Sequence, residues 1–251
     1  MTLTQPRTSP TPRVLVALIL LALLPGVVAA LVRALDGLIY ATFNPWPLAA
    51  GLAIGTVLDI LLFSRLPGFE VFEHELTHAL AALVLFRRID RFVVTVERGG
   101  CVVHRNGLGG ELGNDFIALA PYTLPTFTLL SVLARPFVAG NWFPWFDVWI
   151  GVTFGYHVLS NFREIRTAWT RRRFRNAADG RLISTDIQGR GFMFSTVFIV
   201  TVSLAVLGLM LTIVGQGYLG ALGWANHVGH TEVDLVQTVS QSAHALFSTP
   251  Q

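Results

Sequence analysis

Six stretches of this chain are predominantly apolar, at residues 14–32, 48–63, 69–86, 116–134, 142–162 and 191–214, and polar residues gather in the intervals between them. Apolar runs near 20 residues are long enough to cross a bilayer. Lipid leaves no partner for unpaired backbone groups, so such runs must be helical. The pattern predicts an all-α polytopic membrane protein with about six transmembrane or re-entrant helices. Pro25-Gly26 loosens the first run, and Asn44-Pro45-Trp46-Pro47 and Arg65-Leu66-Pro67-Gly68 break the chain before the second and third. In the fourth, Pro121 and Pro125 make the first turns irregular, which is tolerated where backbone faces protein or a cavity.

One interval changes period. In residues 91–105 two β-branched runs, Phe92 to Val96 and Cys101 to His104, flank Glu97-Arg98-Gly99-Gly100. That is the signature of a small β-hairpin following the third helix. A hairpin between membrane helices must lie at the interface or in a protein-lined cavity, and its open edge is a place where an extended peptide can pair. The domain organisation expected is a disordered Pro- and Thr-rich tail at 1–13, a single membrane-embedded domain at 14–215, and a polar C-terminal tail at 216–251. Within the domain, an arginine-rich loop occupies 163–190.

Composition sharpens this picture: of 251 residues, 53% are hydrophobic and 13% charged. All 18 basic residues are arginines, and eight of them fall in the loop 163–190. Clustered beside apolar runs, they fit the positive-inside rule, which places that loop and the hairpin on the cytoplasmic side, and they do not form a nucleic-acid footprint. The bilayer is therefore the expected partner, and nucleic acid is not. A single cysteine, Cys101, excludes an internal disulfide and a cysteine-rich zinc site.

The chemistry concentrates in the third run, which reads FEVFEHELTHALAALVLF. It contains His74-Glu75-Leu76-Thr77-His78, an HExxH motif. On a helix, positions i and i+4 share a face, so His74 and His78 can hold one divalent metal from adjacent turns. Glu75 then stands beside the metal's open position, where it can take a proton from water that the metal has acidified. The motif supplies two ligands and a base; a catalytic zinc needs a third ligand. Three residues compete for that role: His157 within an apolar run, Asp186 before the last run, and Asp147. His157 as a ligand with Asp186 orienting it is a further arrangement.

With HELTH on an apolar helix, a hairpin with a Gly-Gly turn, and then a run opening with Leu119-Ala120-Pro121-Tyr122-Thr123, the chain resembles the site-2 protease family of intramembrane zinc metalloproteases. The likeness covers roughly residues 69–160. It implies one Zn2+ per chain held by His74 and His78, with Glu75 activating water for peptide-bond hydrolysis inside the membrane. In the family an aspartate from an NxxPxxxxDG-like motif generally completes the site. Here Asn141 to Asp147 matches that motif only in part, and Gly155-Tyr156-His157 and Thr185-Asp186-Ile187 look like segments of divergent bacterial relatives. The resemblance thus implies an integral protein of the bacterial cytoplasmic membrane acting on a membrane protein or peptide substrate. The reading from another class is a catalytically inactive scaffold or binding protein that retains a remnant metal site. Serine chemistry has no GxSxG to support it, and no internal repeat points to a transporter.

Overall fold

The computed structural model describes residues 11–40, 44–95, 99–170, 174–175, 182–183 and 185–247. Its helices are α1 Thr11–Tyr40, α2 Trp46–Leu61, α3 Pro67–Val84, α4 Gly110–Leu119, α5 Thr126–Ala134, α6 Phe143–Thr170, α7 Asp186–Arg190, α8 Phe192–Gln216 and α9 Gly220–Phe247. Strands β1 Ile89–Thr95 and β2 Gly99–His104 pair antiparallel, with Val93 opposite Cys101. The hairpin therefore forms where the period changes, although its turn at 96–98 lies outside the described residues. Two-residue strands β3 Phe174–Arg175 and β4 Leu182–Ile183 pair within the arginine-rich segment. That segment is not all loop, because α6 runs on through Arg163 to Thr170 and α7 closes it.

Among the described residues, three helical stretches are long and apolar enough to cross a membrane: Pro12–Leu38, Trp46–Arg65 and Phe192–Gln216. A fourth arises if the bent pair Gly110–Tyr122 and Thr126–Phe137 counts as one span; its halves meet at 87°. Pro121 and Pro125 cause that break. Proline lacks an N–H for the helical ladder and disfavours helix in the residue before it. In α1 the single Pro25 leaves the helix continuous. The apolar stretches are in line with a membrane protein. By length and apolar composition these make three spans, or four, against an expected count of about six; α3 carries Glu70, Glu73, His74, Glu75 and His78, and α6 carries Asp147 and His157 within its apolar part and Arg163, Glu164 and Arg166 near its end.

The chain divides into two compact units. One comprises Met1–Ala17 and Trp46–Ile199, the other Leu18–Pro45 and Val200–Gln251. In the second, Gly220–Phe247 is a 28-residue helix where the sequence suggests a polar tail. It contains no proline to interrupt it, and its Glu232 accepts a 2.6 Å hydrogen bond from the Gly26 N–H, just after Pro25. The expected disordered tail falls largely on residues outside the described set, although helix α1 already begins at Thr11.

In the first unit α2 and α6 pack through glycines from both helices. Cβ atoms built on Gly51 and Gly55 would collide with the carbonyl oxygens of Val148 and Val152, and one on Gly151 with that of Leu48. Such small-residue faces let membrane helices approach until their backbones touch. The contact brings Asp59 of α2, fully buried, to Arg163 of α6, which also holds Glu70 of α3. Helix α3 packs its other side on α4 and the turn after it, through Ala81 and Ala82 against Ile117 and Ala120. It ends at Val84; two residues further on, Phe86, with a φ of 53°, turns the chain back. Arg87, 2% exposed, donates to the carbonyls of Leu108 and Gly110, tying the end of α3 to the start of α4.

Candidate metal centre

Helical spacing puts His74 and His78 on one face of α3, and their rings meet with Nε2 atoms 3.1 Å apart. Each ring is oriented through its other nitrogen. Nδ1–H of His78 donates to the backbone carbonyl of Ile117 at 2.7 Å, and Nδ1–H of His74 to the Glu164 carboxylate of α6 at 2.9 Å. A carbonyl only accepts, so the proton of neutral His78 is on Nδ1 and its Nε2 presents a lone pair; the carboxylate fixes His74 in the same way. The two lone pairs face each other. Their contact is stable only with a positive charge between them, either a proton on one ring or a cation bound by both.

Asp186 adds a third donor to the pair. Its Oδ2 lies 3.7 Å from both Nε2 atoms, and the three residues form a group whose ligating atoms all lie within 4.8 Å of one another. Ligand atoms about 2.0–2.1 Å from a tetrahedral zinc stand roughly 3.3–3.4 Å apart, so the observed 3.1, 3.7 and 3.7 Å fit one ion. Burial alone would push the Asp186 carboxyl up, but the neighbouring His74 and His78 outweigh it and hold the group well below the usual carboxylate range. Asp186 is positioned by a short, well-anchored helix. The Thr185 hydroxyl caps α7 by accepting from the Gln188 N–H, and Ile187 is fully buried. The Ile187 carbonyl receives the Ser195 hydroxyl at 3.1 Å, and the Gln188 amide reaches the Ala168 carbonyl at 2.9 Å.

The other two third-ligand candidates are engaged elsewhere. His157 is 6% exposed and its Nδ1 lies 3.5 Å from Glu73. Glu73 immediately precedes His74 and so points about 100° around α3 from it. Asp147 forms a two-pronged pair with Arg135, at 2.8 and 3.2 Å. Glu164, which the sequence reading did not single out, is the α6 residue that reaches His74; its spacing of seven from His157 was the available signal.

Glu75 borders a cavity of about 270 Å³ that also exposes His78 and Asp186. Residues of β2, α4 and α7 complete its wall, among them Gly100, Val102, His104, Asn114 and Arg190. The hairpin is seated directly on Glu75, since a Cβ built on Gly100 would overlap the Glu75 side chain. Gly100→Ala is therefore expected to push the Glu75 carboxylate aside while leaving His74, His78 and Asp186 in place. Zinc content measured by atomic absorption should stay at the wild-type level while any Glu75-dependent turnover falls about tenfold or more, the scale set by small displacements of a reacting group.

No family model, curated protein or solved structure matches this chain. The likeness to site-2 proteases rests on the motifs quoted above.

Proposed function

We propose that the chain is a membrane-embedded zinc metalloendopeptidase that hydrolyses peptide bonds of membrane-associated substrates. The observation that carries this reading is the convergence of three donors, His74 Nε2, His78 Nε2 and an Asp186 oxygen, beside a cavity bordered by Glu75. Those three residues would hold one zinc ion per chain, which would supply Lewis acidity to polarise a carbonyl and acidify water. Glu164 and the Ile117 carbonyl keep both Nε2 lone pairs aimed at one point, so no reorganisation precedes binding. Glu75 takes the proton of the attacking water on its carboxylate and passes it to the nitrogen of the departing amine. Strand β2, paired with β1 on one side, offers an extended substrate a backbone partner along the cavity wall. Asn161 of α6 donates its side-chain amide to the Tyr122 carbonyl at 2.6 Å.

The site's setting supports the same reading. Helices α3 and α6 would complete about six transmembrane or re-entrant segments, their charges matched within the protein by Glu73 with His157, Glu164 with His74, and Arg163 with Asp59. The bacterial cytoplasmic membrane is the location that the family likeness suggests. The test is cleavage of a fluorogenic apolar peptide by detergent-purified protein, with zinc quantified in the same samples. Glu75→Gln should keep its zinc and lose about 10²- to 10⁴-fold in rate, the usual worth of a general base. Equal cleavage by wild type and Glu75→Gln would exclude this role. Zinc without cleavage in either protein would favour the inactive scaffold.

A further inference from the structure

Arg190 is the last residue of α7, one turn after Asp186, and both side chains line the cavity with Glu75 and His78. Its Nη1–H donates to Asp115 Oδ1 at 3.0 Å. That carboxylate, 1% exposed, is already claimed. Arg13 donates Nε–H to its Oδ2 at 2.7 Å and Nη2–H to its Oδ1 at 2.9 Å, and reaches the Arg190 carbonyl at 3.4 Å. Among the described residues, two guanidiniums thus share one carboxylate, and the cluster carries one positive charge more than it matches. Arg13 is not part of the cavity wall; Arg190 is. The remaining acids of that wall, Glu75 and Asp186, would balance a divalent cation and leave nothing for Arg190.

A second feature reports the same field. His104 of β2 stands in the cavity wall, and its pKa is pushed down chiefly by burial, which outweighs the hydrogen bond to the Arg105 carbonyl that raises it, and further by nearby positive charge that includes Arg190. A partly buried charge without a counter-ion is costly, and a guanidinium is shaped to receive a carboxylate. One helical turn separates Asp186 from Arg190 along α7, about 5.4 Å, whereas residues of an extended peptide advance about 3.3 Å each.

We infer that Arg190 receives an anionic side chain of the substrate, so that the cavity selects peptides carrying aspartate or glutamate one or two residues from the bond presented to the His74–His78–Asp186 site. The position of that bond rests on the endopeptidase reading; the preference for an acidic peptide does not.

The experiment measures binding rather than turnover. Zinc-loaded, full-length Glu75→Gln protein in detergent is titrated into fluorescently labelled apolar decapeptides that differ only in a central Asp, Asn or Lys, and anisotropy is recorded. The Asp peptide should bind about 10- to 100-fold more tightly than the Asn peptide, the range of a charge-assisted hydrogen bond. Adding Arg190→Gln should erase that ratio with zinc content unchanged, and Arg190→Glu should favour the Lys peptide. Arg13→Gln, which leaves Asp115 to neutralise Arg190, should shrink the ratio without altering the cavity wall. Equal binding of Asp and Asn peptides, or a preference that survives Arg190→Gln, overturns the inference. Should Arg190→Gln fail to fold, an undiminished preference in Arg13→Gln overturns it equally. If wild type cleaves nothing but the acidic preference persists, the endopeptidase reading fails and this one stands; if cleavage occurs without the preference, the reverse holds.

Discussion

Asp186→Ala is expected to strip the protein of zinc. The two histidines would remain oriented by Glu164 and the Ile117 carbonyl, but two neutral nitrogens 3.1 Å apart make an incomplete site with no negative charge of its own. Losing a residue that merely supports a ligand costs about 10- to 100-fold in metal affinity, so losing a ligand should cost more, on the order of 10³-fold. After dialysis against a weak chelator, wild type should retain about one zinc per chain and Asp186→Ala almost none, with turnover falling in parallel. His157→Ala is the informative control. Its ring nitrogen faces Glu73 at 3.5 Å, so its removal should leave zinc content unchanged. The opposite pattern, with zinc lost in His157→Ala and kept in Asp186→Ala, would sink this assignment of the third ligand.

Gly155→Leu should prevent the protein from folding. A Cβ on Gly155 would already lie 2.5 Å from the Leu52 carbonyl oxygen, and the facing Gly51 and Gly55 of α2 meet α6 equally closely. In lipid no hydrophobic force presses helices together, and backbone contact of this kind is itself the source of their association. Overpacking a soluble core costs about 1–3 kcal/mol, occasionally more. Here the obstruction is backbone, which cannot rotate away, so the loss should reach or exceed the top of that range. Separating α2 from α6 would also part Asp59 from Arg163 and leave a buried carboxylate without its partner. Thermal unfolding followed by tryptophan fluorescence should show a large fall in Tm or no cooperative transition. Gly140→Ala, at a position where an added Cβ meets nothing within 4 Å, should melt within a degree or two of wild type. Similar Tm values for the two variants would remove the glycine contact as a determinant of the fold.

Much of this architecture was legible from spacing alone. HExxH put two nitrogens on one face of α3, the change from period 3.6 to period 2 located the hairpin, and Pro121 with Pro125 marked the break in the fourth apolar run. The third ligand was harder, because depth can be estimated from sequence and helix rotation cannot. His157 and Glu164 lie on one face of α6, and only the rotation of α6 against α3 decides that Glu164 meets His74 while His157 meets Glu73. Asp186 sits on a five-residue helix, too short to show a period. The span count was unreadable for a related reason. Whether α3 and α6 belong in lipid depends on whether their charges are paired inside the protein, and each partner lies far away in sequence. Gly100 carries no signal of its contact with Glu75, since a glycine after a hairpin turn is ordinary.

The donors of the proposed centre are widely separated along the chain, His78 on α3 and Asp186 more than a hundred residues later on α7. A ribosome delivers them at different times. While α4 and α5 are being inserted, the nascent site consists of His74 and His78 alone, and neither Glu164 of α6 nor Asp186 of α7 has yet arrived to orient or complete it. Zinc capture would therefore be among the last events of biogenesis, closing a very long loop once α7 is anchored on Ile187. Until then, a chain bearing the whole HExxH motif would be unable to cut its neighbours in the translocation machinery. Chelator-resistant zinc should accordingly appear in chains extended past α7 and be absent from those halted before Asp186.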